Sequence, residues 1–182
     1  MGKALAMAEF MTVSTGIKAA DMMIKTAEVK VIEAEVVCPG KYIILIEGEL
    51  SAVRASVDTV SGMFSDKLID SFVLGNPHDS IFPAIYGSCE VENKRALGVL
   101  ETYSAASIIK AADIAAKTSM VDLIELRVAR GMCGKSYMLL TGEVAAVEAA
   151  IERAKAETAD GTMFLDSSVI ANPDEKLWST IM

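Results

Sequence analysis

The chain contains an internal duplication, and this duplication limits the folds that it can adopt. The pentapeptide Ile-Lys-Ala-Ala-Asp at residues 17–21 recurs unchanged at 109–113, an offset of 92. The offset then grows to 94 and to 96, as shown by Gly40-Lys41 with Gly134-Lys135 and by Asn76-Pro77 with Asn172-Pro173. A tandem repeat signals two copies of one structural unit. We therefore predict two domains, residues 1–91 and 92–182, joined by a polar connection.

Each half has the residue pattern of strand, helix, strand, strand, helix, strand. In the first half, a strand is predicted from Leu5 to Thr12, and Ser14 is predicted to cap a helix with an apolar stripe of Ile17, Ala20, Ile24 and Ala27. A β-rich segment follows from Val29 to Val37. Tyr42 to Ile46 is continuously apolar, which is typical of a strand buried on both faces.

A second helix and a last strand are expected in the remainder of each half. The apolar spacing after Leu50 predicts a second helix ending near Gly62, and a last strand is expected from Leu68 to Leu74. The order β-α-β-β-α-β is the ferredoxin-like signature. The predicted fold class is therefore α+β, with two tandem ferredoxin-like units and antiparallel sheets.

Composition excludes several classes of function. The longest apolar run between charges spans five residues, too short for a membrane span, although 52% of the residues are hydrophobic. With 25 acidic against 17 basic residues and no basic cluster, nucleic acid is not expected as a partner. Surplus apolar surface in so short a chain predicts an obligate oligomer, the alternative being an Ala-rich monomer.

Few residues have side chains in a pattern suited to catalysis or metal binding. The single histidine, His78, has no second histidine to pair with around a metal, and no nucleophile or phosphate-binding motif occurs, so no enzyme is predicted. Three widely spaced cysteines and the absence of a secretory leader pattern indicate a cytoplasmic protein. Cys89, between the halves, is expected to be structural.

The turns between the middle strands are more informative. Cys38-Pro39-Gly40-Lys41 forms this turn in the first half, and the second half carries the longer Arg130-Gly131-Met132-Cys133-Gly134-Lys135. A Cys-Pro dipeptide is also found at ligands of iron–sulfur clusters, although one dipeptide is a weak signal. Since one chain lacks three or four ligands, any cluster would have to be assembled between chains.

Together these motifs resemble bacterial microcompartment shell domains. The resemblance rests on the Ile-Lys-Ala-Ala-Asp helix followed by Lys-Thr, the Gly-Lys turn, the Gly-Glu helix start at residues 48 and 142, and the Asn-Pro after the last strand. Two such domains in one chain resemble the tandem class whose trimers mimic hexamers. The Cys38 turn most resembles members from propanediol-utilising compartments.

The resemblance implies a homotrimeric tile in the shell of a cytoplasmic microcompartment, joined edge to edge with other shell proteins and serving encapsulated redox enzymes. It implies a central pore lined by two turns and tile-edge contacts at Lys25 and Lys117. It also implies a 4Fe-4S cluster held by Cys38 of each chain. Electron transfer across the shell or within it is a hypothesis for the role of this cluster. The pore-lining residues would be Cys38, Pro39, Gly40, Lys41, Gly131, Met132, Cys133 and Gly134.

Three further interpretations stay open at this point. Cys133 is a competing or additional cluster ligand. The pore without a cluster would be an open route for metabolites. A tandem module that binds a small regulatory ligand would instead form a discrete dimer and gain thermal stability from its ligand.

Overall fold

A computed structural model of the chain describes residues 4–89, 91, 93–159 and 163–181. The first half has the predicted order of elements, followed by a short helix. Its strands and helices are β1 (Ala4–Phe10), α1 (Val13–Thr26), β2 (Val29–Val37), β3 (Lys41–Gly48), α2 (Leu50–Met63), β4 (Leu68–Leu74) and α3 (Ile81–Ile85). The second half repeats this order with β5 (Ala96–Thr102), α4 (Ala105–Thr118), β6 (Val121–Arg127), β7 (Ser136–Gly142), α5 (Val144–Ala159), β8 (Phe164–Ala171) and α6 (Glu175–Ile181).

The two halves form two four-stranded sheets of the same topology. Their strand orders are β2-β3-β1-β4 and β6-β7-β5-β8. Register shifts occur at Glu9/Phe10 in one sheet and at Glu101/Thr102 in the other, positions related by the offset of the repeat. The duplication therefore extends to irregularities of the backbone, and the predicted α+β fold is confirmed.

The core of the first half lies between its sheet and its two long helices. Alternate residues of β1 and β3 form one cluster with α1 and α2: Ala4, Ala6, Ala8, Phe10, Tyr42, Ile44, Ile46, Ala19, Ala20, Met23, Val53, Val57 and Val60. The intervening residues of the two strands, such as Leu5 and Ile43, are also fully buried. The prediction that Tyr42–Ile46 is buried on both faces is confirmed.

The start of α1 differs from the prediction. The strand ends at Phe10 rather than Thr12, and the helix begins at Val13, so Ser14 lies inside it and is not its cap. Thr12 has extended backbone angles, and its carbonyl accepts a hydrogen bond from the N–H of Gly16 over 3.0 Å. Thr12 therefore holds the N-cap position, without a side-chain bond to the helix.

The predicted apolar stripe of α1 is only partly buried, since Ala20 lies in the core but the two isoleucines do not. The buried residues of the helix are Gly16, Ala19, Ala20 and Met23, whereas Ile17 and Ile24 are 55% and 51% exposed. The helix lies close to the sheet, so small side chains occupy its inner face. The two isoleucines project outward from the chain.

A glycine permits this close packing. A Cβ placed on Gly16 would lie 2.3 Å from the Cβ of Tyr42, so no side chain fits there. At the equivalent positions the second half has Ile108 and Ser136, both fully buried. The first half therefore combines a glycine in the helix with a tyrosine in the strand. The second half combines an isoleucine in the helix with a serine in the strand.

The chain divides into two compact units. The first unit contains the residues up to Pro77 with Ser104–Lys110 and Val128–Ser136, and the second contains His78–Tyr103, Ala111–Arg127 and the residues from Tyr137 onward. Both turns of interest between middle strands therefore belong to the first unit. Among the described residues, no helix has the length and apolar character needed to cross a membrane.

Candidate functional site

The turn between β2 and β3 presents a thiol to solvent. Cys38, Pro39 and Gly40 connect the strands, and the N–H of Gly40 donates to the carbonyl of Val37 over 2.9 Å. Gly40 has φ of +110°, a conformation that glycine adopts without steric cost. The Cys38–Pro39 peptide bond is cis. The side chain of Cys38 is exposed and forms no disulfide.

The connection between β6 and β7 packs against this turn. Gly134 has φ of +85°, and a Cβ at this position would lie 3.2 Å from Cδ of Pro39 and 3.1 Å from Cε of Lys41. Within the connection, the N–H of Ala129 donates to Oγ of Ser136 over 3.0 Å. Cys133 is exposed and also has a positive φ, +51°.

A buried ion pair lies beneath the two turns. Nζ of Lys41 donates to Oε1 of Glu9 over 2.9 Å and to the carbonyl of Gly134 over 3.2 Å. The side chain of Glu9 is completely buried, and its Oε2 accepts a hydrogen bond of 2.9 Å from the N–H of Ala105, the first residue of α4. A buried carboxylate needs such partners, because an uncompensated charge away from water is costly.

Arg130 attaches the other end of the connection to β2. Its guanidinium donates to Glu35 over 2.6 Å and to Glu33 over 2.7 Å. Burial alone would lower the pKa of Arg130, but the hydrogen bonds to Glu35 and Glu33 outweigh it and raise this pKa. The second oxygen of Glu33 is buried without a hydrogen-bond partner among the residues that the structure describes.

The structure thus brings together residues that were predicted to line one pore. Pro39, Lys41 and Gly134 are in direct contact, and Cys38 and Cys133 are each adjacent in sequence to one of these contacting residues. Gly40 belongs to the same turn, and Gly131 and Met132 lie in the β6–β7 connection. Whether these residues surround a symmetry axis stays a prediction.

Sequence reasoning placed Arg130 in the second turn but missed its contacts, and it missed the partners Glu9, Glu33 and Glu35. A signal for Glu9 was present in the sequence, because it is the one charged residue in the otherwise apolar strand Ala4–Phe10. A buried carboxylate requires a cation nearby, and Lys41 precedes Tyr42, the residue that pairs with Phe10 at the end of the strand.

The two predicted edge lysines have different surroundings. Lys25 is 2.7 Å from Asp21, and both side chains are exposed. Lys117 is 2.6 Å from Asp113, a carboxylate that is only 5% exposed. Asp113 also accepts a hydrogen bond from the backbone N–H of His78 over 2.7 Å. The repeat therefore preserves the Asp–Lys pair but places only the second aspartate in a buried site.

Cys89 belongs to the second compact unit. Its thiol is half-buried, and burial followed by the nearby charge of Asp122 raises its pKa. In the ranges that the structure describes, no three His, Cys, Asp or Glu side chains are grouped so as to hold a metal ion.

Comparison with known proteins identifies the repeat. The BMC domain matches the chain twice, at residues 4–77 and 96–173. The chain is 36% identical over 178 residues to the bacterial microcompartment shell protein PduT of Citrobacter freundii, covering 98% of this chain and 97% of PduT.

Solved structures agree. A microcompartment protein from Desulfitobacterium hafniense superposes with a TM-score of 0.85 at 40% identity, over 98% of this chain and 99% of the other. A fused permuted hexameric shell protein from the RMM microcompartment has a TM-score of 0.66 at 21% identity, over 87% of this chain and 82% of the other, and shares the fold.

Proposed function

Because the chain belongs to the BMC-domain family of bacterial microcompartment shell proteins, we propose that it is a homotrimeric tile of such a shell. Its location is the shell of a microcompartment in the cytoplasm, as its relatives indicate. Other shell proteins join its edges, with Lys25 and Lys117 at these contacts. No catalytic role is assigned to it.

The observation that carries the trimer is a difference in burial between the two copies of the repeat. Ile109 and Ala116 of α4 are 0% and 8% exposed within one chain, whereas the equivalent Ile17 and Ile24 of α1 are more than half exposed. The residues that cover Ile109 and Ala116 belong to the same chain. In the proposed trimer, a second copy of the chain covers Ile17 and Ile24 of α1. A closed ring of three copies leaves no copy of these two residues exposed.

The trimer is tested with Ile17→Glu, which places a charge in the proposed interface but not in the core of the chain. Sedimentation of this variant should shift from trimer to monomer. Met63→Glu is a matched control, since Met63 is 59% exposed and its equivalent in the repeat is the exposed Glu157. A trimeric Ile17→Glu variant would contradict the proposal, and a discrete dimer of the natural chain would favour the regulatory module.

We further propose that Cys38 from three chains holds a 4Fe-4S cluster in the pore. The donor chemistry fits: thiolates are the usual cluster ligands, and Cys38 is an exposed thiol in the turn between β2 and β3. Three-fold symmetry turns one cysteine into three convergent sulfurs. When bound, such a cluster supplies one-electron redox chemistry, and the proposed role is electron transfer across the shell, with encapsulated redox enzymes as partners.

Iron content of trimer purified without oxygen tests the cluster. The natural chain should contain about four iron atoms per trimer and give an electron paramagnetic resonance signal on reduction. Cys38→Ser should contain none, whereas Cys89→Ser, which changes a cysteine outside the turns, should keep its iron. An iron-free natural trimer would contradict the cluster and favour an open pore for metabolites.

A further inference from the structure

Two carboxylates of the first half bind the start of α4. Oε2 of Glu9 accepts a hydrogen bond of 2.9 Å from the N–H of Ala105. Oδ2 of Asp70 accepts from Oγ of Ser107 over 2.5 Å and also from Oγ of Ser104. The two acidic residues are partners in neighbouring strands, β1 and β4, so they lie side by side. Carboxylates are favourable at this end of a helix, where backbone N–H groups have no partner within the helix.

The repeat contains the same carboxylate pair a second time. Glu101 and Asp166 are the equivalents of Glu9 and Asp70, and they are likewise partners in neighbouring strands, β5 and β8. In both copies the residue after the aspartate donates its backbone N–H to Oδ1 of that aspartate over 2.8 Å. Within the chain, however, Glu101 is half-buried and Asp166 is exposed, whereas Glu9 is completely buried. The second pair is therefore built like the first but is accessible to solvent.

The start of α1 carries the donors that match this second pair. Thr12, Val13 and Thr15 occupy the positions that Ser104, Ala105 and Ser107 hold at the start of α4, at the repeat offset of 92. Hydroxyl groups therefore recur at the first and last of these positions, and the middle residue is the first of its helix in both copies. Thr12 is exposed, whereas its equivalent in the second half is completely buried.

We infer that Glu101 and Asp166 of one chain bind the start of α1 of the next chain. In this junction Asp166 accepts hydrogen bonds from the hydroxyls of Thr12 and Thr15, and Glu101 accepts from the N–H of Val13. The inference rests on the proposed trimer and identifies the polar contacts that hold it together. A second copy is the partner, because every chain carries one accessible carboxylate pair and one matching helix start. Three copies in a closed ring leave neither group unused.

The contacts of Arg130 do not recur in this junction. The positions equivalent to Glu33 and Glu35 are Glu125 and Arg127, and these two side chains form an ion pair of 2.6 Å with each other. Glu125 therefore already has a cation within its own strand. The polar contacts between chains are accordingly expected at the start of α1 rather than along β6.

Reversal of charge tests the junction. Asp166→Lys places a cation against the start of α1 of the next chain, so the protein concentration at which half of the chains sediment as trimer should rise about tenfold or more. Thr15→Glu places a carboxylate against Asp166 and should weaken the trimer similarly. The double variant should recover assembly, because the lysine of one chain then meets the glutamate of the next. Asp58→Lys is a matched control that should leave assembly unchanged, since Asp58 and its equivalent Glu152 are both exposed.

Circular dichroism of each variant separates assembly from folding, because the change at the exposed Asp166 should leave the helical content intact. A natural trimer whose assembly is unaffected by Asp166→Lys and by Thr15→Glu would overturn the inference and leave the proposed trimer standing. Weakening that persists in the double variant would also overturn it, because residues in direct contact should compensate for each other. A natural chain that does not form trimers would overturn both.

Discussion

The ammonium group of Lys41 lies 2.9 Å from the carboxylate of Glu9, a side chain that is completely buried in a central strand. The same ammonium reaches the carbonyl of Gly134 in the second half, and the other oxygen of Glu9 accepts from the start of α4. One ion pair therefore joins the sheet of the first half to two segments of the second half that lie in the same compact unit.

Removing the cation should be costly. Lys41→Met leaves the carboxylate of Glu9 buried without its charged partner, so we expect a loss of about 3–5 kcal/mol in the free energy of unfolding. Urea unfolding at fixed protein concentration measures it. Lys30→Met is a matched control, because Lys30 is 72% exposed in its pair with Glu47 and should cost about 0–1 kcal/mol.

The double variant Lys41→Met with Glu9→Gln separates charge from packing. It should recover part of the loss, since neither side chain then carries a charge. A double variant as unstable as Lys41→Met would show that packing of the lysine chain, rather than the uncompensated carboxylate, sets the cost.

The close approach of α1 to Tyr42 predicts sensitivity at Gly16. Gly16→Ala should destabilise the protein by about 1–3 kcal/mol, because the added methyl group overlaps a strand residue. Gly62→Ala is the control: it lies in α2 with nothing within 4 Å of the added Cβ, so a gain of about 0.4–1 kcal/mol is expected. Thermal unfolding of both variants tests this difference.

The residues at the equivalent positions of the second half suggest a second substitution that restores stability. Gly16→Ile alone should unfold the first half, and adding Tyr42→Ser should restore part of its stability, because the second half uses the combination of Ile108 and Ser136. The absence of any rescue would mean that the two halves tolerate these pairs for separate reasons.

The two lysines proposed to lie at the tile edge should respond differently to removal. Lys25→Ala loses only an exposed pair and should change the free energy of unfolding by about 0.3–0.5 kcal/mol. Lys117→Ala deprives the buried Asp113 of its cation, and about 1–3 kcal/mol is expected. Chemical denaturation of both variants measures the contrast, and equal losses would contradict it.

Lys25→Ala is therefore the cleaner test of tile-edge contacts. Trimers of this variant should stay intact, and the double change with Lys117→Ala should impair two-dimensional sheets further, as seen by electron microscopy. Each exposed pair contributes little by itself, so the effect arises from repetition along many edges. Unchanged arrays would count against the edge role of these residues.

Cys89 should react slowly with alkylating agents. Its pKa is raised by burial and by Asp122, so less of the reactive thiolate exists at neutral pH. Asp122→Asn should lower this pKa and speed labelling, and in cluster-free protein the exposed Cys38 serves as the reference in the same digest. The folded chain binds the thiol proton of Cys89 more tightly than the unfolded chain does. The contribution of this thiol to the free energy of unfolding is therefore complete below the pKa of the unfolded chain, and it is lost as pH rises through the pKa of the folded chain.

Much of the fold was readable from local patterns. The order of elements and the burial of Tyr42–Ile46 follow from periodicity, which acts over a few neighbouring positions. The duplication follows from residues that recur at offsets of 92 to 96. The exposed Cys38 turn was also predictable, because proline and glycine confine the chain to a reversal there.

The sequence by itself determined that two similar units exist and where their turns fall. Only the tertiary structure decided that Ile17 and Ile24 face outward, that Glu9 pairs with Lys41, and that Gly134 contacts Pro39. The reason is physical: identical pentapeptides lie in α1 and α4, yet burial depends on the surface packed against each helix, and that surface comes from residues distant in the chain.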